Sequence, residues 1–232
     1  MAITVCGTCI DFGSQSICVD PAGIYVSGKF AFKSCDVNPH QGQGDACGFA
    51  AGGIGPAPRI TTIQKWSFSS DGNATNSGNL GVMARSCLGA ASSSTHGYLL
   101  GGYGTPAPGA EIVDCRDFIQ KFPFSSGGTA TDVAELLGKK CSISGHESTT
   151  HGYGSGGNPD ANEIQKFQFS NDGNATDVGN LTRNFKNHAS ITSSENGYAA
   201  GGYSSSGDNY DKFPFTSDTN ATDVGELGPV GA

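Results

Sequence analysis

One short phrase recurs four times along this chain and constrains its fold more than any other feature. In the phrase a lysine precedes an aromatic residue, a variable residue and a phenylalanine, and it lies at 65–68, 121–124, 166–169 and 212–215. Apolar and polar residues alternate there, which predicts a β-strand with both aromatic side chains on one face and the lysine on the other. Four copies in a chain of 232 residues indicate a repeat architecture.

Three further elements recur around this lysine strand. A short apolar strand that ends in a glycine pair lies at 48–53, 97–102, 152–157 and 197–202. A turn rich in Asp, Asn and Gly leads to a third strand at 131–136, 176–181 and 222–227, with a degenerate copy at 75–80. A strand of small residues lies at 86–94, 141–149 and 188–194. Four strands in roughly 45–55 residues match one propeller blade, so we expect an all-β fold, a small β-propeller of four-stranded blades.

The same elements predict where the blades lie along the chain. Four clear blades are expected at about 45–95, 96–150, 151–196 and 197–232, within one compact domain. Residues 1–44 hold only a faint copy, at 23–28, and are rich in cysteine. We interpret them as a divergent fifth blade, with a cap on a four-bladed ring as the alternative.

The glycine pair after a short apolar strand, with aromatic residues at fixed places, resembles the kelch repeat, although the usual Tyr and Trp signature is incomplete. The phrases Lys-Phe-x-Phe-Ser, Asn-Ala-Thr-Asp-Val-Gly and His-Gly-Tyr-x-x-Gly-Gly more closely resemble kelch-like repeats of marine phage (cyanophage-type) structural and tail-fibre proteins. The resemblance covers about residues 45–228. It implies a non-enzymatic virion structural protein that acts in assembly or host attachment. Other virion proteins, further copies of the chain in a symmetric assembly and a host surface glycan are the implied partners.

Charge and composition exclude several classes of partner. A formal net charge of −8 argues against nucleic acid, because phosphate binding needs a basic surface. The chain contains no apolar run of the roughly 18–20 residues that a membrane-spanning helix requires, so membrane insertion is not expected. The N-terminus lacks the pattern of a secretory signal. We therefore expect a protein that folds in a host cytoplasm and becomes part of an extracellular particle.

The eight cysteines predict buried thiols with one or two disulfides. Cys6 and Cys9 form a CxxC pair, but no second pair completes a zinc signature. No cofactor is expected. Calcium remains an alternative, because Asp71, Asn73, Asp172, Asn174 and Asp177 supply oxygen ligands in the repeated turns; hydrogen bonds from these side chains to their own backbone explain the same residues and are favoured.

The variable spacing within the repeat indicates a contact surface. The number of residues from each glycine pair to the next lysine strand changes from blade to blade. The number from the last phenylalanine of a phrase to the next glycine pair stays nearly constant. Loops of variable length on a rigid scaffold commonly carry recognition. The candidate binding residues on these loops and beside the glycine pairs are Tyr98, Tyr103, Thr105, Pro106, Asp114, Arg116, Tyr153, Tyr198 and Tyr203. For the tyrosines a core role is favoured over a saccharide-binding groove.

His96 and His151 occupy equivalent places before Gly-Tyr, and we interpret them as hydrogen-bonded turn residues and not as metal ligands. No nucleophile elbow, phosphate loop or paired-carboxylate motif is present. Three functions are therefore carried forward. The first is the virion structural protein, the second is a lectin-like propeller that binds glycans, and the third is a propeller hydrolase or oxidase, which no constellation of residues supports.

Overall fold

The structure is a computed structural model. It describes residues 4–6, 9–11, 16–20, 23–26, 29–33, 47–53, 60–81, 84–104, 114–159, 161–202 and 208–228, and for 4–33 and 84–86 it describes the backbone alone. These residues form antiparallel β-strands and no helix, which confirms the all-β prediction. The chain divides into two compact units, Met1–Pro39 and His40–Ala232.

The first unit is one antiparallel meander of five strands. Its strands are β1 (Thr4–Cys6), β2 (Cys9–Asp11), β3 (Ser16–Asp20), β4 (Gly23–Val26) and β5 (Lys29–Lys33). Each strand pairs with the next along the chain. Only two to four residues separate consecutive strands along the chain, which is enough to join antiparallel neighbours.

The described residues of the second unit form four successive sheets, which we number 1 to 4. Sheet 1 consists of β6 (Cys47–Ala51), β7 (Thr62–Ser67) and β8 (Thr75–Asn79). Sheet 2 consists of β9 (Ala84–Ser86), β10 (Gly89–Ser92), β11 (His96–Leu100), β12 (Tyr103–Gly104), β13 (Asp114–Pro123) and β14 (Thr131–Lys140). Sheet 3 consists of β15 (Ser144–Glu147), β16 (His151–Ser155), β17 (Glu163–Gln168) and β18 (Thr176–Asn180). Sheet 4 consists of β19 (Ala189–Thr192), β20 (Asn196–Ala200), β21 (Asn209–Pro214) and β22 (Thr222–Glu226).

The strands follow the predicted order along the chain. Sheets 3 and 4, however, each begin one strand earlier than the predicted blade. The small-residue strand β15 pairs with β16, the glycine-pair strand that follows it, and β19 pairs with β20 in the same way. The reason is local, since only three residues separate each of these pairs and a short connection favours a hairpin. Sheets 3 and 4 therefore each begin at the small-residue strand and end at the third predicted strand.

Glycine is required where the glycine-pair strand lies beside the lysine strand. Gly152 pairs with Phe167 across β16 and β17, and a Cβ atom at Gly152 would overlap the Phe167 ring. Gly97 and Gly197 stand in the same relation to Phe122 and Phe213. The recurring Gly-Tyr phrase is thus explained by the ring that covers its glycine.

The hydrophobic cores lie between consecutive sheets. One core joins Ile63 and Leu80 of sheet 1 to Leu99 and Phe122 of sheet 2. Equivalent cores join sheets 2 and 3 and sheets 3 and 4. We call these three regions the first, second and third interfaces. Each sheet thus buries an apolar face against its neighbour, the arrangement that two packed sheets require.

Two contacts repeat at all three interfaces. An aromatic residue next to the glycine of one sheet stacks on the last phenylalanine of the next sheet's phrase, with ring centroids 4.8–4.9 Å apart, in the pairs Phe49–Phe124, Tyr98–Phe169 and Tyr153–Phe215. A backbone N–H in each turn donates to the outer strand of the preceding sheet, in the pairs Ala130–Asn79, Ala175–Glu135 and Ala221–Asn180. These repeated contacts hold consecutive sheets in one fixed stacking.

Candidate functional site

The predicted contact surface is described in part. Thr105, Pro106 and Tyr203 lie outside the described residues. The loop that the sequence places between Tyr103 and the lysine strand of sheet 2 is shorter in the structure, because Asp114 already belongs to β13 and Tyr103 belongs to β12. This lengthened β13 pairs along ten residues of β14, so part of the expected loop is sheet.

The start of β13 is held by polar contacts and a disulfide. Arg116 is buried and donates from Nη2 to the Gly104 carbonyl at 3.2 Å. Asp114 is paired with Lys139 at 2.9 Å, and hydrogen bonding by this lysine lowers the pKa of the Asp114 carboxyl. Cys115 is bonded to Cys141, with Cα atoms 5.1 Å apart, which confirms the expectation of a disulfide. Arg116 therefore serves the scaffold, while Asp114 lies on its exposed side.

The ring tyrosines differ in burial. Tyr98 and Tyr153 are each 2 % exposed and lie inside the second and third interfaces, where they pack on the phenylalanines of the next sheet. Their burial agrees with the favoured core role. Tyr198 occupies the same place in sheet 4, is partly exposed and has no ring neighbour among the described residues. Of the three, Tyr198 is the one that remains accessible to a ligand.

The repeated turns use their oxygen atoms within the protein. Asp177 accepts from the Gly179 N–H at 3.0 Å, and Asn174 accepts from the Glu135 N–H of the preceding sheet at 3.0 Å. Asp172 is paired with Lys121 at 2.8 Å. Three of the candidate calcium ligands are thus engaged in backbone and ion-pair contacts. Within the described part of the chain, no group of three or more His, Cys, Asp or Glu side chains is placed to hold a metal ion.

His96 and His151 are hydrogen-bonded, as predicted, but each is the first residue of a strand, β11 or β16, and not part of a turn. In each, ring Nδ1 lies 2.8 Å from the hydroxyl of the preceding threonine, Thr95 or Thr150. The backbone N–H of each donates to a serine three residues earlier. Partial burial lowers the pKa of both imidazoles. The two side chains belong to different interfaces and do not converge.

A buried polar cluster in the third interface was not predicted. Ser155 Oγ lies 2.8 Å from His146 Nε2 and 3.0 Å from His188 Nε2, and both His146 and Ser155 have no exposed surface. Burial lowers the pKa of His146 to about 3 and that of His188 to about 4, so both rings are neutral at pH 7. Because Ser155 Oγ is fully buried, this Ser–His arrangement cannot reach a substrate, and we assign it to packing.

A signal for this cluster was present in the repeat. At the place of His146 the neighbouring sheets have Ala91 and Ile191, and at the place of Ser155 they have Leu100 and Ala200. His188 takes the place of Leu88 in sheet 2. Three polar residues at otherwise apolar repeat positions indicate side chains that meet, since a buried polar group needs a partner.

The lysine of the repeated phrase reaches across each interface. Lys121 pairs with Asp172 across the second interface, and Lys166 pairs with Asp218 at 2.5 Å across the third. At the first interface Lys65 Nζ lies 3.4 Å from the Phe124 carbonyl oxygen and 5.5 Å from the centre of the Phe49 ring. No carboxylate among the described residues pairs with Lys65.

A cavity of about 260 Å³ lies beside Lys65 in the first interface. It is lined by Cys47, Phe49, Lys65, Ser94, Thr95, Phe124 and Ser125. A second cavity, of about 280 Å³, is lined by Cys47 and Lys65 together with residues of β7 and the turn after it. Cys47 carries a free thiol. An ammonium group, a thiol and three hydroxyl groups thus surround an aromatic wall.

No helix among the described residues has the length and apolar character needed to cross a membrane. No family model matches this chain, and no curated protein matches it either.

Proposed function

We propose that the four sheets are blades of a small β-propeller and that residues 1–44 supply a divergent fifth blade. The two end sheets of the stack support this proposal, because each carries only one of the two partners of the ring and ion-pair contacts that repeat between consecutive sheets. In sheet 4, Tyr198 has no ring partner and Lys212 has no carboxylate partner among the described residues. The equivalent tyrosines and lysines of sheets 2 and 3 have both kinds of partner. Sheet 1 presents Asp71, at the place of Asp172, and Phe68, which is 59 % exposed. A further blade would complete both ends.

Small-angle scattering of the full chain tests the closed arrangement. A compact domain of this length has a radius of gyration of about 17 Å. An open stack with a detached N-terminal unit would give a clearly larger value, of about 20 Å or more, and a monomer with that value would overturn the five-bladed ring.

For function, we propose a non-enzymatic structural component of a virion, part of a phage tail, fibre or surface decoration, that acts in assembly or host attachment through its variable loops. The observation that carries the proposal is the division of the repeat into a scaffold with repeated inter-sheet contacts and loops whose length changes from sheet to sheet. Such a division is typical of recognition modules. The Cys115–Cys141 disulfide fits an extracellular particle, since disulfides persist in oxidising surroundings.

Mass spectrometry of purified particles tests this proposal. We expect peptides of the chain at a constant ratio to other virion proteins, as part of a symmetric assembly. Absence of the chain from any particle would overturn the proposal.

A loop exchange separates attachment from assembly. Replacing 105–113 with a Gly-Ser linker of equal length is expected to reduce adsorption of particles to host cells. The matched control replaces 170–173, a turn on the constant side of the repeat, and is expected to leave adsorption unchanged. Equal adsorption in both variants would exclude this loop from attachment.

Glycan binding is the second candidate, favoured by the partial exposure of Tyr198; it is an alternative to the five-bladed ring, because a blade packed on sheet 4 would cover this side chain. Aromatic rings accessible beside polar turn residues are suited to the apolar face of a sugar. A glycan array probed with the wild-type protein and with Tyr198→Ala tests it. Binding that the substitution removes would support the lectin-like function, and binding that persists would place the saccharide elsewhere.

A further inference from the structure

The first interface departs from the other two at three equivalent positions. Cys47 stands where sheets 2 and 3 have His96 and His151, and Phe49 stands where they have Tyr98 and Tyr153. The third position lies in the turn three residues after the last phenylalanine of the phrase. Its three occupants are Gly127 at the first interface, Asp172 at the second and Asp218 at the third.

These replacements remove an imidazole, a phenol hydroxyl and a carboxylate from one place. Gly127 has no side chain, and the atom that its Cβ would meet is the Ser77 carbonyl oxygen of sheet 1, so the turn sits too close to that strand for an aspartate. Lys65 consequently lacks the turn carboxylate that Lys121 and Lys166 possess. Cys47 and Phe49, at two of the three changed positions, line the 260 Å³ cavity together with Lys65.

The cavity has the chemistry of a site for an organic anion. Its wall is formed by Phe49 and Phe124, whose rings are stacked with centroids 4.9 Å apart. Ser94, Thr95 and Ser125 line the same cavity as Lys65 and carry hydroxyl groups, of which that of Thr95 lies 2.8 Å from His96 Nδ1. An apolar cavity of about 150 Å³ accommodates benzene, so about 260 Å³ suffices for a six-membered ring with a carboxylate.

We propose that this cavity binds a small carboxylate with a ring-shaped apolar face, whose carboxylate takes the role that Asp172 and Asp218 play at the other interfaces. Lys65 Nζ donates to the carboxylate, and a hydrogen bond between two charged groups is roughly twice as strong as a neutral one. The ring of the ligand packs on Phe49 and Phe124. The net charge of −8 repels anions in general, so binding depends on this local ammonium. The proposal is independent of the proposed virion function.

Calorimetric titration of the full chain at low salt tests the site. The probes are benzoate and glucuronate, which distinguish an aromatic from a saccharide source, with benzamide and glucose as their neutral controls. We expect saturable binding of at least one carboxylate with a Kd on the order of 1 mM and no saturation by its neutral control. Absence of saturation by both carboxylates would overturn the proposal.

Two substitutions locate the binding. Lys65→Met is expected to weaken carboxylate binding about tenfold or more, because it removes a charged donor, whereas Lys121→Met at the second interface leaves it unchanged. Ser125→Asp places a carboxylate in the cavity and is expected to compete with the ligand for Lys65. Equal affinity in wild type and Lys65→Met would overturn the site.

The free thiols provide a readout that does not depend on affinity. Cys47 lines the cavity, whereas Cys87 is an exposed free thiol that does not line it. Bound carboxylate is expected to slow alkylation of Cys47 by iodoacetamide and to leave the rate at Cys87 unchanged, as measured on proteolytic peptides. Slowing at neither thiol in the presence of saturating ligand would place the ligand elsewhere.

Discussion

The first and third interfaces are built on the same contacts and differ in what they do with polar groups. Both stack an aromatic residue on the next sheet's phenylalanine, in the pairs Phe49–Phe124 and Tyr153–Phe215. At the third interface polar residues stand at positions that are apolar in the other sheets, and they hydrogen-bond around Ser155, while the buried His188 Nδ1 has no hydrogen-bond partner among the described residues. At the first interface polar groups have been lost, and Lys65 is left beside a cavity. Backbone and ring contacts are thus the same at both interfaces, while the polar side chains differ between the interfaces in groups that lie close together.

The largest expected effect comes from the stacked aromatic residues. Tyr153→Ala removes a ring that is 2 % exposed and is expected to lower the free energy of unfolding by about 3–5 kcal/mol. Phe49→Ala is expected to cost less, since Phe49 is partly buried and borders a cavity that already lacks contacts. Denaturant unfolding of both variants measures the difference. A larger loss for Phe49→Ala would contradict the comparison.

The next effect is a pH dependence carried by the third interface. The folded-state pKa values of His146 and His188, about 3 and about 4, lie below the ordinary value of 6.5, so below pH 6.5 the unfolded chain binds protons that the folded protein does not. Full stability from these rings is present above pH 6.5. Toward pH 4.5 each histidine is expected to remove about 1.4 kcal/mol of unfolding free energy per pH unit.

Glu147 acts in the opposite direction within the same strand. Burial raises its pKa from 4.5 to about 7, so between these values the folded protein binds the extra proton and gains stability as the pH falls. The variant that tests the histidines therefore retains Glu147, so that the contribution of Glu147 is the same in the variant and in wild type. This variant carries His146→Ile, Ser155→Ala and His188→Leu, which introduce the residue types of the neighbouring repeats. Between pH 6.5 and 4.5 its free energy of unfolding should change less with pH than that of wild type. Unchanged slopes would exclude the cluster as the source.

A smaller effect is expected at the buried polar residue of the lysine strand. Asp211 has no exposed surface and accepts from the Thr182 N–H at 2.6 Å and the Thr182 hydroxyl at 2.8 Å. Asp211→Ala leaves these donors unpaired and is expected to cost about 1–3 kcal/mol. Gln64, at the equivalent place in sheet 1, is exposed, so Gln64→Ala is the matched control with a change near zero. Thermal unfolding of both variants would decide, and equal shifts would contradict the assignment.

The smallest effect is expected at the lysines. Lys166 pairs with Asp218, whose side chain is 53 % exposed, and a pair at the surface contributes about 0–1 kcal/mol. Lys166→Met should therefore lower stability slightly, and the loss should shrink at high salt. Lys65→Met, which breaks no ion pair among the described residues, should show no salt dependence. Denaturation at two salt concentrations measures both.

The strands of sheets 1 to 4 were predictable because their signals are local. Alternation in the phrase around Lys166 and the Asx-rich turns identify strands and hairpins without reference to the rest of the chain. The burial of Arg116 was not predictable, because the segment that contains it, predicted as a loop and found in β13, has no repeat to compare. The role of His146 was hidden for a different reason, since Ser155, which it contacts, also contacts His188, and His188 lies just before β19, 42 positions beyond His146 along the chain.

By itself the sequence determined the strand elements and their recurrence, since both depend on neighbours along the chain. Only the tertiary structure decided which strand begins each sheet, which tyrosines are buried and what surrounds each lysine. The physical reason is that these outcomes depend on contacts between sheets. Asp172 and Gly127 occupy the same turn position, yet Asp172 pairs with Lys121 of the preceding sheet, whereas Gly127 lies against the Ser77 carbonyl oxygen of the preceding sheet, and these contacts exist only once two sheets are packed.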